Sequence, residues 1–512
     1  MGLLNLIQGR RAQAALEKAD AFLSPFSLLL MLVAIGWLLV FPADVYWRRR
    51  YFSENALLES QAKCSFGINN ERFELDRIGE ILTKVWDAND HNLLTHESNK
   101  EIIDKVESLF SGYGLTTETQ TFRYKKLPNG EFYQGTNLHG IVHAPRSDHV
   151  ESIVLCASLK TGNNESNYNA IKLLSSFAYY TTKVNYWAKD VIFLVTDSGE
   201  AGVEEWLRSY HERTGYSKDA SALKKRAGTI QSALAIELPP TKPAYGYSRM
   251  GTFYVSNTGQ MPNLDYVNIV TSISRFQGLP SIYNGFDNDE SEATFFEKYL
   301  KSARWLFGIL KAQLIGQPTS IHTPFLKIDA MTLRGIPNTH SHHLGALDTD
   351  FTTIGRIIES ITRSLNNLLE HFHQSFFFYL LPALNWYIPI GDYMPVIGLM
   401  SASLLFQASM RMPIGKKIIN SLAMGLWVSL RKNMYSITDM KKRIEYQSSA
   451  YNQLRSTIPG AIKTILLFHS IGLGVYVAYL GGSFIPKAFD TTALLLTVAY
   501  SDFSDRKATM GG

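Results

Sequence analysis

Residues 190–196 read Asp-Val-Ile-Phe-Leu-Val-Thr. The run is too short for a helix, and five consecutive apolar residues cannot divide themselves between a wet face and a dry one. It is therefore a strand buried on both sides, of the kind that parallel sheets place between layers of helices. Upstream, residues 152–157 (SIVLCA) repeat the pattern, and residues 168–182 between the two runs carry apolar side chains at helical spacing. Downstream, residues 203–211 return to the helical period, and residues 233–238 (ALAIEL) form a third strand candidate. Further on, 329–336 is strand-like and 351–370 helical. Alternation of this kind predicts an α/β domain with a largely parallel sheet and flanking helices, whose ligand site lies beyond the carboxyl ends of the strands. Those ends carry Ala157-Ser158-Leu159-Lys160, Thr196-Asp197-Ser198-Gly199-Glu200 and Glu237.

Strand ends of this kind are where a zinc aminopeptidase holds its metals. The chemistry needs a His and an Asp after the first strand, a bridging Asp before the next helix, a Glu pair after the second strand, an Asp after the third and a late His. Here Ser158-Leu159-Lys160 stands in the first place, and the lysine sets a cation where dications are required. Gly199-Glu200 keeps one acid of the pair, so the general base is missing. Glu237 can replace the Asp, and His340, His342 or His343 can supply the late ligand, but too few groups remain for two metals. Two readings stand on these residues: a scaffold resembling a zinc aminopeptidase that has lost its chemistry, and a membrane-anchored zinc-dependent aminopeptidase. No G-x-S-x-G, H-E-x-x-H, P-loop or helix-opening G-x-G-x-x-G occurs.

At 512 residues the chain is too long for one simple domain, and its 46% hydrophobic residues are segregated toward the ends. Fifty basic residues against 45 acidic give a scattered +5, which excludes a nucleic-acid surface. Two cysteines exclude a disulfide-dense scaffold and zinc sites built from three or four thiolates. Cys156 ends a buried strand and reads as a small core residue; Cys64 reads as a solvated residue or an intersubunit contact.

Residues 22–41 (FLSPFSLLLMLVAIGWLLVF) carry no charge over twenty positions, enough at about 1.5 Å per residue to cross a hydrocarbon core of ~30 Å. The run is longer than the apolar part of a cleaved signal peptide and no A-x-A-like site follows, so it reads as an uncleaved anchor. Arg10, Arg11 and Lys18 before it balance Arg48, Arg49 and Arg50 after it, leaving orientation open. The sequon Asn164-Glu165-Ser166 is a glycosylation acceptor only if the large domain is luminal. After an aromatic cluster that begins at Phe372, residues 376–388, interrupted by Pro382, read as a half-helix or interfacial helix. Residues 394–410, 418–430 and 462–485 are spanning candidates, 432–456 a basic cytosolic loop, and 491–503 an apolar stretch short for a span.

Several segments carry a resemblance: Met1-Gly2-Leu3-Leu4, Tyr51-Phe52-Ser53-Glu54-Asn55-Ala56, Gly135-Thr136-Asn137-Leu138-His139-Gly140-Ile141, residues 186–196 (YWAKDVIFLVT), Gly259-Gln260-Met261-Pro262-Asn263-Leu264-Asp265 and residues 373–382 (HQSFFFYLLP). In order and spacing over about residues 1–430 they resemble the GPI-anchor attachment protein 1 family. That resemblance implies a non-catalytic subunit of the GPI transamidase. The endoplasmic-reticulum complex cleaves a C-terminal propeptide and joins the new carboxyl end to the ethanolamine of a GPI lipid. The implied partners are the other transamidase subunits, including the caspase-like catalytic subunit, together with the GPI lipid and the membrane. Residues 1–21 become a cytosolic N-terminus, 22–41 a transmembrane helix, 45–370 a luminal aminopeptidase-like domain and 375–503 a multi-span membrane bundle, shorter than the family's.

With that topology Asn164 faces glycosylation, and Tyr51 and Ser53, about ten residues beyond the first span, bring hydroxyls within reach of a lipid headgroup. The loop 337–343 (PNTHSHH) sets three histidines within four residues, which bind a metal when neutral and phosphate when protonated. On the family pattern His340, Ser341 and His342 contact the GPI headgroup, with one divalent cation there and Ser341 among its ligands. A merely solvated loop is the alternative, as is a purely structural complex subunit for the chain as a whole.

Overall fold

The computed structural model describes residues 25–54, 63–68, 70–88, 96–126, 131–211, 223–256, 259–283, 294–315, 320–338, 346–369, 371–373, 377–383 and 385–410. Two units partition the chain, Leu39–Tyr393 and the pair of end segments Met1–Leu38 and Met394–Gly512.

Helix α1 covers residues 25–38, followed by strand β1 (Arg48–Arg49), α2 (Glu71–Ala88) and α3 (His96–Gly112). Next come β2 (Thr116–Lys126), β3 (Glu131–Val142), β4 (Glu151–Ser158), α4 (Tyr168–Lys183), β5 (Asp190–Thr196) and α5 (Gly199–Tyr210). The chain continues through β6 (Thr229–Glu237), β7 (Tyr247–Phe253), α6 (Leu264–Phe276), β8 (Ser281–Tyr283) and α7 (Phe295–Ile315). It closes with β9 (Asp329–Pro337), α8 (Ala346–Asn366), β10 (Tyr379–Ala383), β11 (Trp386–Pro389) and α9 (Ile390–Met410).

Eight strands form one sheet in the order β2-β3-β5-β4-β6-β9-β7-β8. Its centre, β5-β4-β6-β9, is parallel, whereas β3 runs antiparallel to β5 and β7 antiparallel to β9. The expected α/β class is thus realised, and β5 has the bounds read from the sequence. Side chains alternate between two cores as the strand period requires. Ile153, Leu155 and Ala157 of β4 with Val191, Phe193 and Val195 of β5 join the larger core, shared with α2, α3, α4, α6 and α8. Val154, Cys156, Ile192 and Leu194 turn the other way, onto Val203, Trp206, Leu207 and Tyr210 of α5. Burial pushes the Cys156 thiol far above its ordinary range, so it is the inert core residue expected.

Three expectations need correction. Within the expected half-helix or interfacial helix of 376–388, the described residues 379–383 and 386–388 are not helical: β10 and β11 pair antiparallel, and β11 takes β1 on its other edge. Pro382 decides this, because its ring and missing N–H break a helix but are tolerated in a strand where the register shifts, as it does here between Leu380 and Ala383. Cys64 is not solvated. It is half-buried with Sγ 2.8 Å from the Ser360 hydroxyl of α8, and burial raises its pKa. The helix expected over 351–370 starts earlier and ends earlier, as α8. Gly355 of α8 has no room for a side chain, since a Cβ there would lie 2.1 Å from the Phe66 ring. Beside it the fully buried Glu359 accepts from the backbone N–H groups of Ser65 and Phe66, each at 2.9 Å.

In the unit of the end segments, Ser403 of α9 donates to the Ser27 carbonyl of α1 at 2.7 Å, and the rings of Phe26 and Phe406 lie 6.0 Å apart. Leu28, Leu29 and Leu32 stand exposed on α1. Among the described residues no helix is both long and apolar enough to cross a membrane. The expected segments 418–430, 432–456, 462–485 and 491–503 lie outside the described residues.

Under the sheet, His322 is 1% exposed, with Nε2 3.1 Å from the Val255 carbonyl and Nδ1 2.8 Å from the Thr332 hydroxyl. A carbonyl only accepts, so Nε2 carries the proton and Nδ1 accepts from Thr332. Burial lowers its pKa to about 3. The unfolded chain therefore takes up a proton below about pH 6.5 that the folded one refuses until about pH 3, and stability falls with acidification across that window by about 1.4 kcal/mol per pH unit. Denaturant unfolding of the purified chain at pH 7, 6 and 5 should show a shallower decline for His322→Gln than for the unaltered protein.

Candidate functional site

The strand ends predicted to hold the site converge as expected, but the groups there brace each other. Past β4, Ser158 and Leu159 are fully buried, and the Leu159 N–H donates to the Thr196 carbonyl at the end of β5, 2.9 Å away. Lys160 then pairs in an isolated bridge with Ser166, closing a small hairpin. Asn164 is at its tip, exposed and left-handed at φ 67°, a conformation asparagine tolerates well. The hairpin ends at Asn167, the residue before α4 and the place where a bridging acid would stand.

Asn167 is fully buried and its amide is bonded at both ends. Nδ2 donates to the carbonyls of Ser158 (2.8 Å) and Ile236 (3.2 Å), while Oδ1 accepts from the Leu238 N–H at 2.7 Å. One side chain thereby holds the ends of β4 and β6 together. Its position directly ahead of an apolar helical run is a helix-start signature, which was the available signal for this residue.

Glu237 is fully buried at the end of β6. It faces Arg334 of β9, whose Nε donates to Oε2 at 2.6 Å and whose Nη2 also contacts that oxygen. Burial holds the Glu237 carboxyl above its ordinary range, with Arg334 pulling it back toward ionisation. The guanidinium lies 4.6 Å over the Phe253 ring. Both arginine contacts fall on Oε2, so the charge of Glu237 is met by a guanidinium within the sheet. Arg334 was not foreseen, because its partner lies 97 positions away in sequence. After β5, Asp197 accepts from the Thr136 N–H at 2.9 Å and from the Ser198 hydroxyl at 2.6 Å. Glu200 opens α5.

Tyr51 and Ser53 lie together along α6. The Asp265 carboxylate accepts the Ser53 hydroxyl at 2.7 Å and the Glu54 N–H at 3.1 Å, Asn268 donates to the Tyr51 carbonyl at 2.9 Å, and Arg50 donates to the Thr271 hydroxyl at 2.8 Å. Positions 265, 268 and 271 share one face of the helix. Tyr51 keeps half its surface exposed, with its ring 6.3 Å from that of Tyr387. His340, Ser341, His342 and His343 lie outside the described residues.

These features define a class: an α/β domain whose strand-end crevice is braced by a buried amide and an ion pair. Residues 134–504 match the family model described as Gaa1-like, GPI transamidase component, and the chain belongs to that family. The resemblance read from its motifs is thus borne out. The GPI transamidase component gaa1 of Schizosaccharomyces pombe is 32% identical over 385 residues, 74% of this chain and 62% of that protein. The GPI transamidase component GAA1 of Saccharomyces cerevisiae is 30% identical over 399 residues, 77% of this chain and 58% of that protein. The chain therefore spans about three fifths of the length of the curated relatives it matches. Among solved structures, BSAP, a zinc aminopeptidase from Bacillus subtilis, aligns with a TM-score of 0.36 at 10% identity, over 59% of this chain and 96% of that one.

Removing one member of the Glu237–Arg334 pair strands a buried charge, which costs about 3–5 kcal/mol, whereas replacing both by apolar residues is close to neutral. Arg334→Met should lower unfolding stability by that order, and Glu237→Met with Arg334→Met should recover most of it, measured by denaturant titration of the purified chain.

Proposed function

We propose that this chain is a non-catalytic subunit of the GPI transamidase that binds the GPI lipid and presents it to a caspase-like catalytic subunit. The observation that carries this reading is the family match over residues 134–504. Two features of the strand ends support the non-catalytic part: an amide bonded to three backbone groups at Asn167, and a carboxylate at Glu237 bound by arginine. The chain works in the endoplasmic-reticulum membrane as a multi-pass protein with the α/β domain in the lumen. The exposed Leu28, Leu29 and Leu32 support a lipid-facing α1 within the apolar run 22–41. The exposed tip position of Asn164 suits a glycosylated residue on that side. Tyr51, Ser53, His340, Ser341 and His342 contact the headgroup, with a divalent cation there that takes Ser341 as a ligand.

Affinity purification in mild detergent, followed by mass spectrometry of proteins and lipids, should recover a caspase-like protein and a GPI lipid with this chain. Chelator-sensitive release of amino acids from peptides by the purified chain would instead favour a zinc aminopeptidase, and recovery of the subunits without lipid a purely structural subunit. Tyr51→Phe with Ser53→Ala should lower lipid recovery several-fold while the complex stays assembled. Replacing His340, Ser341 and His342 by alanine should reduce surface display of GPI-anchored proteins at matched expression; normal display would remove that loop from the site.

A further inference from the structure

The amino ends of the central strands carry an arrangement to which the strand-end crevice has no counterpart. Strands β3 and β4 flank β5 on opposite sides, so the connection between them, residues 143–150, has to cross the amino end of β5. Asp190, the first residue of β5, is fully buried at that crossing. Its Oδ1 accepts the Ala144 N–H at 2.8 Å. The remaining contacts are imidazoles: His143 Nδ1 lies 3.1 Å from Oδ2, and His149 Nδ1 lies 3.0 Å from Oδ1 and 3.1 Å from Oδ2. The two rings sit edge to face with centroids 5.0 Å apart.

Among the described residues, this is the one group of three His, Cys, Asp or Glu side chains whose ligand atoms all lie within 4.8 Å of one another. Both nitrogens lie 3.0–3.1 Å from oxygens of the one carboxylate, so a small rearrangement would let all three groups face a shared ion. Zinc holds nitrogen at about 2.0–2.1 Å and carboxylate oxygen at about 2.0–2.2 Å, which in a tetrahedron sets neighbouring ligand atoms roughly 3.4 Å apart. The observed separations from the carboxylate need to open by only a few tenths of an ångström. A buried carboxylate calls for positive charge, and the neighbouring Lys189 pairs with Glu151 at 2.9 Å. Two imidazoles with one carboxylate select a borderline transition metal over calcium or magnesium. The histidine side chains are 43% and 49% exposed, so a fourth position opens to solvent. His149 is left-handed at φ 64°, a conformation that costs a non-glycine residue energy and that a metal bond would hold in place.

We propose that His143, His149 and Asp190 form a zinc site that clasps the β3–β4 crossing to the amino end of the sheet. It is separate from any cation at the lipid headgroup, and it does not depend on the transamidase reading. The test uses the full chain in detergent, purified through a histidine-free tag, stripped with chelator and titrated with zinc chloride. One zinc per chain is expected by elemental analysis, with a rise in melting temperature on zinc addition. His143→Gln with His149→Gln, both at exposed positions, should weaken binding at least tenfold and abolish the rise. Cobalt(II) in the stripped, unaltered chain should give tetrahedral d–d bands without a thiolate charge-transfer band, a readout that needs no variant. Absence of zinc uptake, equal uptake by the double variant, or a thiolate band would each overturn the assignment, leaving two histidines hydrogen-bonded to a buried aspartate.

Discussion

Burying β4 and β5 on both faces removes water from the ends of the central strands as well as from their faces. Every backbone or side-chain polar group at those ends then needs a partner inside the protein, at a cost of about 1–3 kcal/mol for each one left unmade. The fold answers much of that demand with buried polar side chains at the points where strands end and loops cross. Asn167 serves the carboxyl ends of β4 and β6, Glu237 with Arg334 those of β6 and β9, and Asp190 the amino end of β5. Glu359 does the same for the segment 64–67 against α8.

This arrangement bears directly on chemistry. In an open parallel sheet the crevice beyond the carboxyl ends is the natural ligand site, because loops diverge there and the strands themselves cannot fill it. A metal site in that place would supply both charge and cohesion. Here the cohesion comes from an amide that ties two strands and from an ion pair that ties two more. Asn167 spends both amide hydrogens on the Ser158 and Ile236 carbonyls and accepts from the Leu238 N–H, so its side chain is turned to backbone groups at the ends of β4 and β6. An asparagine at that position favours joining strands where an aspartate would favour holding a cation.

How far the sequence could be read follows the range of each interaction. The strands over 152–157 and 190–196 were legible because double burial is written in consecutive apolar residues. The missing first-strand ligands were legible at Ser158 and Lys160, since absence of a His or Asp needs no partner to be recognised. The Glu237–Arg334 pair was not, because nothing near Glu237 marks it as matched to a residue on another strand. The His143, His149 and Asp190 group was hidden for the same reason: 41 positions separate His149 from Asp190, and only the strand order β3-β5-β4 brings them together. The hairpin over 379–389 was misread because apolar and aromatic content alone does not separate a short buried strand from half a helix. The proline there marks a register shift and not a helix interruption.

The segment 50–54 shows how the same logic reaches the surface. Residues spaced one helical turn apart on α6 receive it at Thr271, Asn268 and Asp265 in turn, so this stretch of chain runs antiparallel to the helix and is fixed in register. Ser53 spends its proton on Asp265, which leaves its oxygen with lone pairs and no hydrogen to offer. For the headgroup contact proposed above, this sets the polarity: the Ser53 oxygen accepts from an ammonium or a sugar hydroxyl and cannot donate to a phosphate while the Asp265 bond holds. The Asp265 carboxylate behind it polarises the hydroxyl and strengthens that acceptor.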